Sequence, residues 1–252
     1  MKTLPIALQV YSIRDEAQAD FRATMEEVKK MGYDGVELAG LYGMRAEEVR
    51  DCLQEVGLTP ISAHVSYEEL MKDLEGTVQD YATIGCQYIA IPYLMEDCRY
   101  GTEKYKEFIG NIPVIAKECV KHNITLLYHN HDFEFEKTTE DNYVIDSLYE
   151  QFPKEILQTE FDTCWIAYAG ENPVNYINKY SGRCPVIHLK DYTMPPFSYR
   201  PVGHGVQDIP EILKAAVNAG TKWVVVEQDD HSDNSPMEDC RISREYLRTI
   251  GW

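Results

Sequence analysis

The chain has 252 residues, 44% hydrophobic and 26% charged, the balance of an ordinary globular protein with ample chain for a core. Its formal net charge of −18 argues against nucleic acid and against an anionic membrane surface as partners, since both need a basic face. Seven scattered cysteines, an odd number with no C-x-x-C, exclude a disulfide framework and a zinc knuckle; they read as small core residues of a reducing compartment.

Strand-like and helix-like runs alternate along the chain. Residues 4–11 read as a first strand rather than a secretory leader, because MKTLPIALQV lacks a full apolar h-region and a cleavage signal. No run is long and apolar enough for a membrane span, so the expected location is cytoplasmic. A helix over 20–31 carries Phe21, Met25, Val28 and Met31 on one face and stops at Gly32. A short strand over 35–39, a helix over 46–56 ending at Gly57, and a third strand over 58–65 follow. Ser66 with Glu69 forms a capping box for a helix that ends at Gly85. Next come a strand over 86–93 and a helix over 102–122 that Pro113 is expected to kink or divide. The fifth strand spans 124–131, the sixth 155–162 and the seventh 184–189, with helices over 141–150 and 173–180 between them. A Pro- and Gly-rich loop covers 192–207. Asp208 caps a helix ending at Gly220, an eighth strand spans 222–228, and a helix over 236–249 closes the chain.

Eight β-then-α units of roughly 31 residues, with non-alternating apolar strands such as YIAIPYL and WVVVEQ, predict a single (β/α)8 TIM-barrel domain over residues 1–252. The rival open doubly wound sheet would favour a Gly-rich loop after the first strand, and LQVYSIRD is not one.

Four strand ends carry metal-capable side chains. ITLLYHNHDFEF supplies His129, His131 and Glu134; LQTEFD ends in Asp162; CPVIHLKD carries His188 and Lys190; WVVVEQDD ends in Glu227. Singly, an Asp there is a helix cap and a His a satisfied core residue. On successive strands of one barrel face they predict a divalent-metal site. Asp162, His188 and Glu227 are three of its ligands. The fourth comes from His129, His131 or Glu134, of which Glu134 lies furthest past its strand. Such a set suits Mn²⁺, Mg²⁺, Co²⁺ or Zn²⁺ without choosing among them. An ion that holds a sugar hydroxyl and carbonyl acidifies the C–H between them, and two carboxylates can remove and return the proton; Glu134 and Glu227 are the natural pair. Lys190 either stabilises a developing oxyanion or pairs with Asp191. Glu37, His64, His129 and His131 either line the substrate pocket or fill the barrel. Tyr11, Tyr93, Phe133, Trp165 and Phe197 are core aromatics or sugar-stacking rings.

The blocks QVYSIRD, YDGVELAG, ISAHVS, YHNHDFEF, DTCW, HLKD, PVGHGVQD and VVEQD, in this order over essentially the whole chain, resemble the sugar phosphate isomerase/epimerase family of xylose isomerase-like TIM barrels. The resemblance implies a metal held by Glu134, Asp162, His188 and Glu227, with the two glutamates moving protons in isomerase or epimerase chemistry on a small carbohydrate. Trp165 stands where ketose epimerase relatives place a substrate-contacting His, Lys190 and Asp191 where an Arg is usual, and His204 where close relatives carry Glu. No basic cluster marks a phosphate. The alternative within the superfamily is a lyase or dehydratase acting on an inosose or oxidised sugar. A multi-zinc DNA-repair barrel conflicts with the acidic charge, and a non-catalytic sugar-binding barrel would not need the carboxylates around a metal. A homo-oligomer stays open.

Overall fold

The computed structural model describes residues 3–252. Eight parallel strands close a barrel: β1 (Ile6–Gln9), β2 (Gly35–Leu38), β3 (Thr59–His64), β4 (Tyr88–Ile91), β5 (Thr125–His129), β6 (Gln158–Asp162), β7 (Val186–Leu189) and, after a two-stranded hairpin of β8 (Asp191–Thr193) with β9 (Ser198–Arg200), β10 (Trp223–Val226). Neighbours follow chain order, and β10 closes on β1 through Ile6↔Val224 and Leu8↔Val226. The hairpin lies in the 192–207 stretch expected to be only loop.

Side chains alternate along each strand, and this alternation builds the interior in layers. Ala7, Ile61, Ala90, Leu127, Val186 and Val225 form a small apolar plug of their own. Two residues further along four of these strands stand Gln9, His129, His188 and Glu227. The residues between them, such as Leu8, Tyr128, Ile187 and Val226, point outward into the main core under the helices. The barrel therefore holds an apolar floor with a polar layer on it, at the C-terminal ends of the strands.

Helix ends follow the local chemistry. Gly32, Gly57, Gly85 and Gly220 end their helices in the left-handed conformation. Ser66 Oγ accepts from Glu69 N, but its helix stops at Lys72, and Asp73 caps a second one over Leu74–Ile84. Pro113 lies on the exposed face of Glu103–Lys121 and does not divide it. A short helix, Thr163–Tyr168, follows β6 where the sequence predicted none; the Asp162 carboxylate caps it through Cys164 N at 2.8 Å.

The HLKD and VGHG blocks are explained together. The buried Asp191 carboxylate accepts the backbone N–H groups of Tyr192, Gly203 and Gly205 at 2.9–3.0 Å and of Gln207 at 3.3 Å. A Cβ at Gly205 would sit 2.1 Å from Asp191 Oδ1. Asp191 therefore anchors the loop, and His204 turns away towards Tyr246, with ring centroids 6.4 Å apart. All seven cysteines are buried and unpaired. Among the described residues no helix is long and apolar enough to cross a membrane.

Candidate metal centre

The polar layer is a two-tiered cluster built by strand register. Asp162 pairs with His188 across β6 and β7, and His129 with Glu160 across β5 and β6. In the outer tier, one donor atom from each of His129, Asp162, His188 and Glu227 lies within 4.8 Å of the others, and all four residues are buried. His188 Nδ1 is 2.8 Å from Glu227 Oε2, and His129 Nε2 is 3.6 Å from Asp162 Oδ2. In the inner tier, the second nitrogens of the same rings face carboxylates: His188 Nε2 is 2.8 Å from Glu37 Oε1, and His129 Nδ1 is 3.3 Å from Glu160 Oε2. His64 Nε2 bridges Glu37 and Glu160 at 3.0 and 2.8 Å.

These donors fit a divalent cation. Of the outer-tier donors, the buried Asp162 Oδ2 has no well-aligned hydrogen-bond partner among the described residues, although Lys190 Nζ lies within 4 Å of it. An unsatisfied lone pair in a buried site is expensive without an ion. Two imidazoles and two carboxylates form the mixed N/O set favoured by Zn²⁺, Mn²⁺ or Co²⁺ over an all-oxygen Mg²⁺ site. The foursome His64, His129, Glu160 and His188 is equally close-set, but its His64 is held between two carboxylates. Burial pulls the His64 imidazole down, yet Glu37 and Glu160 outweigh that and raise its pKa to about 10. The outer tier could hold a metal, with the inner carboxylates placed to orient its histidines.

Burial and charge set the protonation of the rest. Burial raises the Asp162 carboxyl to about 6 against the pull of Lys190. Burial also pushes Glu227 up, but Lys190 and His188 prevail and hold it well below the usual carboxylate range. Burial raises Glu160 to about 7, with Glu37 adding to the rise. Burial, with His188 and His64 close by, holds His129 well below its ordinary value.

A family model for the xylose isomerase-like TIM barrel matches residues 25–250. The chain belongs to that family. Inosose dehydratase of Clostridium beijerinckii is 22% identical over 267 aligned positions, covering 90% of this chain and 89% of the relative. A solved sugar phosphate isomerase/epimerase of Parabacteroides distasonis superposes with a TM-score of 0.84 at 23% identity, over 97% of this chain and 98% of that one. The IolI protein, solved with a zinc atom, superposes with a TM-score of 0.75 at 12% identity, over 98% of both chains.

Within this family frame, the structure brings Asp162, His188 and Glu227 together as the sequence predicts, but it does not bring Glu134 with them. β5 ends at His129, and a 3-10 turn, Phe133–Phe135, carries Glu134 away from the cluster. Its Oε1 accepts from Tyr128 Oη at 2.5 Å and its Oε2 from His131 N at 2.8 Å. Glu134 thus lines a small crevice with Tyr100, Tyr105 and Leu148 rather than the mouth. Glu134, expected as ligand and proton carrier, thus stands outside the close-set foursome, in which His129 is the fifth-strand residue.

Lys190 is 1% exposed and lies 2.9 Å from Asp162, 3.1 Å from Glu227 and 3.0 Å from Asp229; it does not pair with Asp191. Glu37, expected at the substrate pocket, is 0% exposed and lies beneath the ligands. His64, His129, His131, Lys190, Glu227, Tyr11 and Tyr93 do line a cavity of about 530 Å³ over the cluster. Trp165 stands to one side, its ring 5.4 Å from that of His131 and stacked on Phe197 at 5.9 Å. Glu160 and Asp229 are the functional residues not anticipated. Each is two positions from a predicted ligand; the two-residue alternation of a strand marks Glu160 within β6, whereas Asp229 lies past the end of β10.

Proposed function

We propose that the chain is a divalent-metal-dependent enzyme acting on a neutral keto sugar or keto-polyol, and that it eliminates a group β to the carbonyl in the manner of a dehydratase. The withdrawal of Glu134 carries this reading. Epimerisation through a planar intermediate asks for a proton carrier on each face. With Glu134 locked behind Tyr128, only one of the two expected carboxylates, Glu227, lines the cavity. Elimination needs one base, and it is also the reaction class named for the curated relative.

The donor set His129, Asp162, His188 and Glu227 would hold an ion that polarises the carbonyl and a neighbouring hydroxyl. Glu227, kept ionised, accepts the proton from the carbon next to the carbonyl. The Lys190 ammonium, 3.1 Å from Glu227, balances negative charge as it gathers on the substrate oxygen. Lys190 is the one Lys or Arg lining this cavity among the described residues, and three carboxylates already neutralise it. A phosphorylated end would find no counter-charge there, which favours a neutral substrate.

The isomerase or epimerase reading keeps one support: His131 lines the same cavity as Glu227 and is the candidate second carrier. Incubation of Mn²⁺-, Co²⁺- or Zn²⁺-loaded protein with an inosose and with common ketoses in D₂O separates the two. Elimination gives an unsaturated ketone, seen by ultraviolet absorbance and by loss of the mass of water. Deuterium incorporation with no loss of water rejects elimination in favour of isomerisation.

A further inference from the structure

Lys190 and a metal ion would claim the same oxygens. The ammonium lies 2.9 Å from Asp162 Oδ2 and 3.1 Å from Glu227 Oε2. Those two atoms also face the outer-tier histidines, at 3.6 Å from His129 Nε2 and 2.8 Å from His188 Nδ1. A lysine thus sits on two of the four donors. Two cations on one pair of buried oxygens repel each other, strongly where water is excluded. The third partner of Lys190 is different. Asp229 Oδ2 lies 3.0 Å from the same ammonium, yet Asp229 belongs to neither close-set foursome. Its side chain is 26% exposed, against 0% for Asp162 and 5% for Glu227, and it lines the cavity over the cluster.

The chain around Asp229 is pinned on both sides. Residues 227–235 lie in no helix or strand, so side-chain bonds rather than a ladder define where Asp229 stands. Before it, Gln228 N donates to Ser12 Oγ at 3.0 Å, and Arg14 Nη1 donates to Asp229 O at 3.2 Å. After it, the His231 ring is held at both nitrogens: Nε2 lies 2.9 Å from Ser12 O and Nδ1 2.7 Å from Asp239 Oδ2. Gln228 Nε2 donates to the same Asp239 oxygen at 2.7 Å and to Asp230 O at 3.0 Å. Asp239 is buried in the first turn of the closing helix, Pro236–Thr249. His231 therefore ties the Asp229 stretch to the turn after β1 and to that helix, and its side chain is almost wholly covered.

We propose that Asp229 is a positioning residue that takes over Lys190 when the metal centre is loaded, and that His231 is the anchor that keeps Asp229 within reach. The proposal rests on the metal-dependent reading above. In the unloaded centre the ammonium is the counter-charge of Asp162 and Glu227. In the loaded centre those two carboxylates turn to the ion, and Asp229 keeps the lysine paired at the cavity wall. Loading thereby leaves the ammonium where a substrate oxygen gathers charge. With Asp229 removed or displaced, Lys190 has only the two donor carboxylates to sit on, and it competes with the ion for them.

The test is Mn²⁺ affinity, read by competition with a chelating dye, and it needs no substrate. Asp229→Asn should weaken binding about tenfold, and Asp229→Glu, which restores the carboxylate, should return most of it. In a Lys190→Met background there is no lysine to place, so Asp229→Asn should change the affinity by less than about twofold. Mere loss of a negative charge near a cation would weaken binding as much or more once the lysine is gone. An undiminished effect in that background therefore overturns the role of Asp229, as does an unchanged affinity in Asp229→Asn alone. His231→Gln should weaken Mn²⁺ binding in the wild type and add nothing on top of Asp229→Asn. Equal losses in both backgrounds overturn the anchor role. If His231→Gln does not melt cooperatively, Asp239→Asn cuts the same tie and carries the same expectation. Failure of the wild type itself to bind Mn²⁺ overturns the metal reading together with the proposal, and it shows before any substitution is made.

Discussion

Glu37 and His188 meet 2.8 Å apart at the floor of the barrel mouth, with Glu37 wholly shut off from solvent. The contact falls on Nε2, while Nδ1 of the same ring faces Glu227. A carboxylate behind a metal-binding imidazole fixes its tautomer and orientation and strengthens it as a donor, and losing one typically costs 10–100-fold in metal affinity. We expect Glu37→Gln to weaken Mn²⁺ or Zn²⁺ binding by about that factor while the far-ultraviolet circular dichroism stays unchanged. Competition with a chelating dye measures it; an unaltered dissociation constant removes Glu37 from this role.

Lys190 gives opposite signs for affinity and catalysis. Its ammonium sits among Asp162, Glu227 and Asp229, of which Asp162 and Glu227 belong to the proposed metal donors. Lys190→Met removes a positive charge beside a cation site, so metal should bind more tightly. It also removes the group placed against the developing oxyanion, so kcat should fall on the order of 100-fold. Without metal the buried carboxylates lose their counter-charge, which costs about 3–5 kcal/mol. The variant's melting temperature should therefore depend on metal far more steeply than the wild type's. A kcat within twofold of wild type would end the catalytic assignment.

Glu134 is predicted to matter for pH-dependent stability rather than turnover. Burial, against donation from Tyr128 and the His131 backbone, raises its carboxyl to about 7 from an ordinary 4.5. The folded state therefore holds this proton more tightly than the unfolded chain does. The stabilisation is full below pH 4.5 and lost as pH rises through 7. Glu134→Gln should keep its metal and most of its activity. Between pH 4.5 and 7 the stability of metal-loaded wild type should decline relative to the variant. Parallel curves for the two in urea unfolding would contradict this assignment.

Metal removal tests the centre as a whole. Ligand binding to the native state alone adds about 4 kcal/mol at a thousandfold excess over Kd. Chelated protein should melt several degrees lower and recover on addition of Zn²⁺, Mn²⁺ or Co²⁺. His129→Ala should lose most of that recovery and Glu134→Gln none of it. The reverse order would restore Glu134 as the fifth-strand ligand.

The barrel and most of its mouth were legible in the chain. Apolar runs of strand length, each followed by a helical run with its cap, leave little choice but a closed parallel sheet. Asp162, His188 and Glu227 are readable because they stand at or just beyond strand ends, where direction alternates with a fixed period. The same alternation, carried two residues back along β6, reaches Glu160. The fate of YHNHDFEF was decided by tertiary structure. Beyond His129 the strand period no longer applies, and the direction of Glu134 is set by a buried tyrosine hydroxyl and the His131 amide, partners that only packing supplies. Lys190 and Asp191 are likewise adjacent in sequence yet face opposite sides of the strand end. One neutralises the metal cluster and the other pins the glycine loop, because the carboxylates and amides that claim them come from β6, β10 and the 201–207 turn.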